Sequence, residues 1–296
     1  LKKYQFHYHL TVNPDKPVII FLHGFMGNLD EFDAAIKLLS ADFSYLTIDL
    51  PGHGKTQVLG DDDCYQMEST ALALINLLDD LDDLDDLKSH QPNKYFLVGY
   101  SMGGRLALYL ALHFPQRFIK VILVSASPGL ATDEERLARK QSDLQIARKL
   151  SRNTEKKDFA NFLNYWYSQP IFGNIKNHPQ YPEIIQSRLR NNPELLAKSL
   201  QFMSTGCQPS LWENLQYNHI PLLLLVGELD EKFVAINNQM NRQCKSSKLA
   251  IFPQVSHSIH WENSLAFTEY IKDFFQPLHP TPYTLVLLNS SASIFR

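Results

Sequence analysis

A chain of 296 residues with 44% hydrophobic side chains can bury a substantial core, either as one large domain or as a core carrying an insertion. Its formal net charge of −3 argues against a nucleic-acid partner, which calls for a clustered basic surface. No uninterrupted apolar run approaches the roughly 20 residues of a membrane-spanning helix. Three scattered cysteines, Cys64, Cys207 and Cys244, lack metal-ligand spacing and read as reduced thiols. The opening residues lack a charged stretch followed by an apolar core, so the cytoplasm is the expected compartment. Neither a dinucleotide-type glycine fingerprint nor a His/Cys ligand cluster is present, and no cofactor and no metal are expected.

In chain order, the first continuous apolar run is Val18–Leu22, and it leads into His23-Gly24-Phe25-Met26-Gly27. A glycine-bearing loop after a strand suits an oxyanion hole, with the backbone N–H of Phe25 as one donor and that of Met102 as the other. Ser44–Ile48 reads as the next strand, followed by Asp49-Leu50-Pro51-Gly52-His53-Gly54, in which Asp49 is read as a loop brace. The acidic run Asp79–Leu87 lacks the mid-loop glycine and terminal glutamate of a calcium loop. Leu77, Leu81 and Leu84 instead have helical spacing, which predicts a helix with an acidic solvent face.

Tyr95–Val98 then runs directly into Gly99-Tyr100-Ser101-Met102-Gly103-Gly104 and a helical pattern from Arg105. A serine on so sharp a strand-to-helix turn needs neighbours without Cβ atoms, which is the design of a nucleophile elbow. Lys120–Val124 is a further strand, followed by Ser125-Ala126-Ser127 without a carboxylate. Between residues 128 and 218 the strand pattern stops. That stretch, rich in helix formers and carrying Tyr165, Trp166 and Tyr167, predicts a helical cap between the core segments 1–127 and 219–276. Strands resume at Leu222–Val226 and Ser247–Phe252, and a tail at 277–296 follows a proline-rich break. Apolar runs separated by helices imply a mostly parallel sheet covered on both faces, an α/β fold.

Ser101 becomes a useful nucleophile or base only if an imidazole takes its proton and a carboxylate orients that imidazole. Asp230, after the Leu222–Val226 strand, and His257, after Ser247–Phe252, are the candidates, in preference to Glu228 and His260. Arg105 lies four residues beyond Ser101 on one helix face and so projects toward the same pocket.

The elbow, the loop at 23–27 and the order Ser, acid, His make the chain resemble the α/β-hydrolase superfamily over about residues 16–276. A narrower resemblance rests on residues 23–27, 49–54 and 99–105, on Ser127-Pro128-Gly129-Leu130 with Glu135-Arg136, and on residues 205–212, Thr205-Gly206-Cys207-Gln208-Pro209-Ser210-Leu211-Trp212. These are similar to the 2-succinyl-6-hydroxy-2,4-cyclohexadiene-1-carboxylate synthases of menaquinone and phylloquinone biosynthesis. That resemblance implies a lyase that eliminates pyruvate from a cyclohexene bearing succinyl, carboxylate and enolpyruvyl groups. The serine would act as a base, without an acyl-enzyme. It also implies that Tyr100, Arg105, Arg136, Arg188, Trp166 and His23 contact this small polycarboxylate, with Arg190 as the alternative to Arg188. Ser256 departs from the glycine that many hydrolases carry before the histidine, and residues 166–170 match the cap motif only loosely. A carboxylesterase or carbon–carbon bond hydrolase of the same fold is the competing reading, and a catalytically weak ligand-binding receptor the third. The oligomeric state stays open.

Overall fold

Strands that are apolar on both faces must be covered on both faces, and the arrangement follows from that requirement. The computed structural model describes residues 2–83, 94–152 and 155–276. Leu84–Leu87 of the acidic run and the 277–296 tail lie outside the described residues. The central sheet has the order β2-β4-β3-β6-β7-β8-β9, from β2 (Tyr8–Thr11), β3 (Val18–Leu22), β4 (Ser44–Ile48), β6 (Tyr95–Tyr100), β7 (Phe118–Val124), β8 (Leu222–Gly227) and β9 (Ser247–Phe252). All neighbours run parallel except the edge pair β2 and β4. A two-stranded ribbon, β1 (Tyr4–Gln5) with β5 (Gln57–Val58), lies beside the sheet. The sequence reading missed β2, because an edge strand half open to solvent carries no apolar run.

Alternation along each strand divides the core in two. Val18, Ile20 and Leu22 of β3 and Leu97 of β6 face the side covered by α2 (Met67–Asp82) and α3 (Met102–His113). Ile19, Phe21, Phe96 and Val98 face α1 (Asp33–Leu39) and α10 (Ser264–Phe275). In α2, Leu74, Leu78 and Leu81 are buried, while Asp79 and Asp82 pair with Arg117. Among the described residues no helix is long and apolar enough to cross a membrane.

Between β7 and β8 the chain leaves the sheet as a helical insert. Its helices are α4 (Asp133–Leu150), α5 (Lys156–Trp166), α6 (Tyr181–Arg188) and α7 (Pro193–Phe202). A capping box starts α4: Thr132 accepts from Glu135 N–H, and the Glu135 carboxylate returns to Thr132 N–H. Asn192 caps α7, with Pro193 in its first turn. The insert has its own apolar centre around Leu150, Leu163 and Leu196, into which Met26 of the sheet-end loop inserts. The remaining helices, α8 (Glu231–Gln243) and α9 (Ile259–Glu262), follow β8 and β9.

The turn from β6 into α3 leaves no room for side chains at its glycines. A Cβ on Gly99 would collide with the Gly103 carbonyl, and one on Gly103 with the Leu22 and His23 carbonyls. Gly103→Ala should therefore destabilise the fold by about 1–3 kcal/mol, as overpacking does. A shift in the urea unfolding midpoint checks this, and an unchanged midpoint would contradict the crowding.

Candidate active site

Ser101 sits between β6 and α3 with φ 50° and ψ −105°, a region L-residues avoid. Hydrogen bonds from Ser101 N–H to the Val124 carbonyl (2.8 Å) and from Gly103 N–H to the His23 carbonyl (3.1 Å) hold it there. From the far ends of β8 and β9 come Asp230 and His257. Asp230 Oδ2 lies 2.5 Å from His257 Nδ1, and His257 Nε2 lies 3.1 Å from Ser101 Oγ. The carboxylate must accept, so Nδ1 carries the proton and Nε2 is left to take one from the serine. His257 is also fixed through its backbone: its N–H donates to the Ile171 carbonyl of the insert, and its carbonyl accepts from Ser125 Oγ. Ser256 replaces the usual glycine at a cost met locally, since its buried Oγ donates to Glu262 Oε1 at 2.5 Å.

Opposite the serine, two histidines order the loop that bears Phe25. His23 donates from Nδ1 to the Gly24 carbonyl and accepts Leu50 N–H at Nε2. His53 donates from Nδ1 to the Pro51 carbonyl and accepts Met26 N–H at Nε2. Burial pushes both imidazoles below the ordinary histidine range, and both must be neutral to make these bonds. Among the described residues no protein acceptor takes the N–H of Phe25 or Met102.

Above the serine is a cavity of about 320 Å³ between sheet and insert. Tyr100, Arg105, Arg188 and Trp166 line it, as do the Phe25 and Met102 residues. His23 and Arg136 do not. His23 is spent on the loop backbone, and Arg136 reaches Asp133 and the Gly206 carbonyl at the surface. The cavity lining thus gives no support to the substrate contact that the resemblance implies for these two. Arg139, one turn further along α4, lines the cavity instead. The choice between two arginines three apart depends on helix phase, which the sequence leaves open. Lys232 and Phe233 also line it, and the Phe233 ring meets the His257 ring edge-on at 4.8 Å.

The wall arginines differ in their partners. Arg139 Nε donates to Asp143 at 2.8 Å. Arg188 is clamped by Glu31: Nη2 lies 2.7 Å from Oε1 and Nη1 2.7 Å from Oε2, while Nε donates to Tyr167 Oη at 2.9 Å. Burial alone would raise the Glu31 carboxyl, but Arg188 and His260 outweigh it and hold it well below the usual carboxylate range. His260 therefore serves Glu31, donating from Nε2 at 2.8 Å, and is turned away from the serine. No local sequence signal marks Glu31 as buried. Arg105 has no carboxylate partner among the described residues. It donates to Gln208 Oε1 (2.7 Å) and the Met203 carbonyl (2.8 Å), and burial lowers it to about 10, with Arg139 adding to the effect.

A mostly parallel sheet, a serine on a sharp strand-to-helix turn, and an imidazole and a carboxylate hydrogen-bonded in line behind it are the arrangement of the α/β-hydrolase class. Residues 17–264 match the family described as alpha/beta hydrolase fold. The 2-succinyl-6-hydroxy-2,4-cyclohexadiene-1-carboxylate synthase of Escherichia coli O1:K1 / APEC is 32% identical over 253 residues, covering 84% of this chain and 90% of that protein. A solved structure of MenH from S. aureus superposes with TM-score 0.80 at 32% identity, covering 93% of this chain and 98% of that one. Protein PHYLLO, chloroplastic, of Arabidopsis thaliana is 31% identical over 282 residues; they cover 90% of this chain but 16% of that longer protein. The chain belongs to the α/β-hydrolase fold family and, within it, to the family of these synthases.

A serine-directed phosphonate reagent reads the Ser101 environment without needing the substrate. Ser101→Ala should abolish labelling, and His257→Ala should slow it by about a thousandfold or more, while His260→Ala slows it far less. Rates in the reverse order for the two histidine variants would assign the base to His260.

Proposed function

We propose that this chain is a carbon–oxygen lyase that eliminates pyruvate from 2-succinyl-5-enolpyruvyl-6-hydroxy-3-cyclohexene-1-carboxylate to give 2-succinyl-6-hydroxy-2,4-cyclohexadiene-1-carboxylate. The family supports this reading, and Arg105 carries it. A guanidinium one helical turn from the serine, pushed down by burial and bonded only to neutral oxygens, is costly unless an anion arrives. A substrate with three carboxylates supplies one. Planar guanidinium groups bind carboxylates in a fixed fork, which would orient the ring over Ser101.

In this reading His257, oriented by Asp230, takes the Ser101 proton, and Ser101 Oγ removes a ring proton next to the succinyl carbonyl. Phe25 and Met102 amides hold the charge that builds on that carbonyl oxygen. The electron pair then passes through the ring and breaks the carbon–oxygen bond; the departing enolate takes up a proton, matching the one that His257 gives back, and becomes pyruvate. No acyl-enzyme forms. The three free thiols, Cys64, Cys207 and Cys244, suit a reducing compartment such as the cytoplasm.

Pyruvate release from the tricarboxylate is the direct test. Arg105→Ala should lower kcat/KM by about tenfold to a hundredfold, the worth of a charge-assisted hydrogen bond of about 1.5–3 kcal/mol. Turnover of a neutral nitrophenyl ester should hardly change. A wild-type protein that hydrolyses neutral esters efficiently and releases no pyruvate would be an esterase instead.

A further inference from the structure

Glu31 lies in a single helical turn (Leu29–Phe32) just beyond the oxyanion loop, and its carboxylate is buried beside the cavity without lining it. Two separate parts of the molecule converge on it. Arg188 comes from α6 of the insert, while His260 and Trp261 come from α9, next to His257; the Trp261 indole donates to Oε1 at 2.9 Å. We propose that Glu31 is a positioning residue: its carboxylate sets the Arg188 guanidinium in the cavity wall, so that a substrate carboxylate meets an arginine already oriented. The inference rests on the polycarboxylate reading above.

The donor count supports it. A guanidinium has five N–H groups. Nε serves Tyr167, and the fork faces Glu31, yet Nη1 makes an ion pair with Oε2 without an aligned hydrogen bond. Arg188 thus keeps an unspent Nη1 donor, buried beside a cavity that the residue lines. A free arginine side chain would lose considerable rotamer freedom on capturing an anion, and Glu31 removes that cost before the ligand binds. Glutamate is required rather than glutamine, because an amide NH₂ would set a donor against the donors of Arg188.

Steady-state kinetics with the tricarboxylate test this. Glu31→Gln should raise KM roughly tenfold and change kcat by less than about threefold. Arg188→Met should raise KM by itself, and adding Glu31→Gln to it should raise KM no further, because Glu31 acts through Arg188. Phosphonate labelling of Ser101 in Glu31→Gln should match wild type. The proposal fails if Glu31→Gln leaves KM unchanged or lowers it, if its effect persists in the Arg188→Met background, or if labelling slows in proportion. Should Glu31→Gln not fold, Arg188→Lys keeps the ion pair but loses the fork, and an unchanged KM there overturns the proposal. A wild-type protein that releases no pyruvate removes the functional reading and this inference together; wild-type turnover with an unaltered Glu31→Gln removes the inference alone.

Discussion

The catalytic end of this molecule depends on how closely α3 approaches the end of β3. One hydrogen bond, from Gly103 N–H to the His23 carbonyl, joins the elbow to the loop opposite. That approach is possible only because Gly103 has no Cβ. It places two things at once. Ser101 is forced into its strained φ above the sheet, and Phe25 is brought into the same cavity wall. Strain of this kind costs about 1–3 kcal/mol and persists only where the surroundings over-determine it. Here a fully buried β6, hydrogen-bonded to β3 and β7, supplies the over-determination.

Around this rigid centre, the charges of the wall divide by whether the protein has already answered them. Arg188 and Arg139 face Glu31 and Asp143, so they enter the cavity as fixed hydrogen-bond donors with little net charge. Arg105 has only neutral oxygens and keeps its full charge for a ligand. Orientation and attraction are thereby assigned to different arginines. Such a division suits a polyanion better than a wall of equal cations, whose mutual repulsion would have to be held in check when the cavity is empty.

Local chemistry was well written in the sequence, and long-range chemistry was not. Val18–Leu22 and Ser44–Ile48 begin and end where the apolar runs do, because central parallel strands are buried on both faces. Ser101, Asp230 and His257 could be named because each follows a strand at the same end of the sheet, and the structure brings them into contact. Arg136 was named on the resemblance alone, and the side chain of α4 that lines the cavity is Arg139, because sequence spacing does not fix the phase of α4 against the cavity. His23 looked like a ligand contact, yet both its nitrogens serve backbone. Glu31 stayed invisible: a glutamate is buried only with partners, and its partners lie more than 150 residues away along the chain.

The neutral histidines that brace the site also set an acid limit on the fold. His23, His53 and His260 are all held below the ordinary histidine value, with burial the largest cause in each. An unfolded chain would protonate them near pH 6.5, whereas the folded one resists. Their contribution is complete above that pH and is lost as pH falls below it, by up to about 1.4 kcal/mol per pH unit for each histidine. Glu31, whose burial is outweighed by Arg188 and His260, begins its own loss only below the ordinary carboxylate value. Acid therefore reaches the framework in stages. The three histidines respond first, two that order the loop that bears Phe25 and one against Glu31, and the carboxylate that ties the insert to the core responds later.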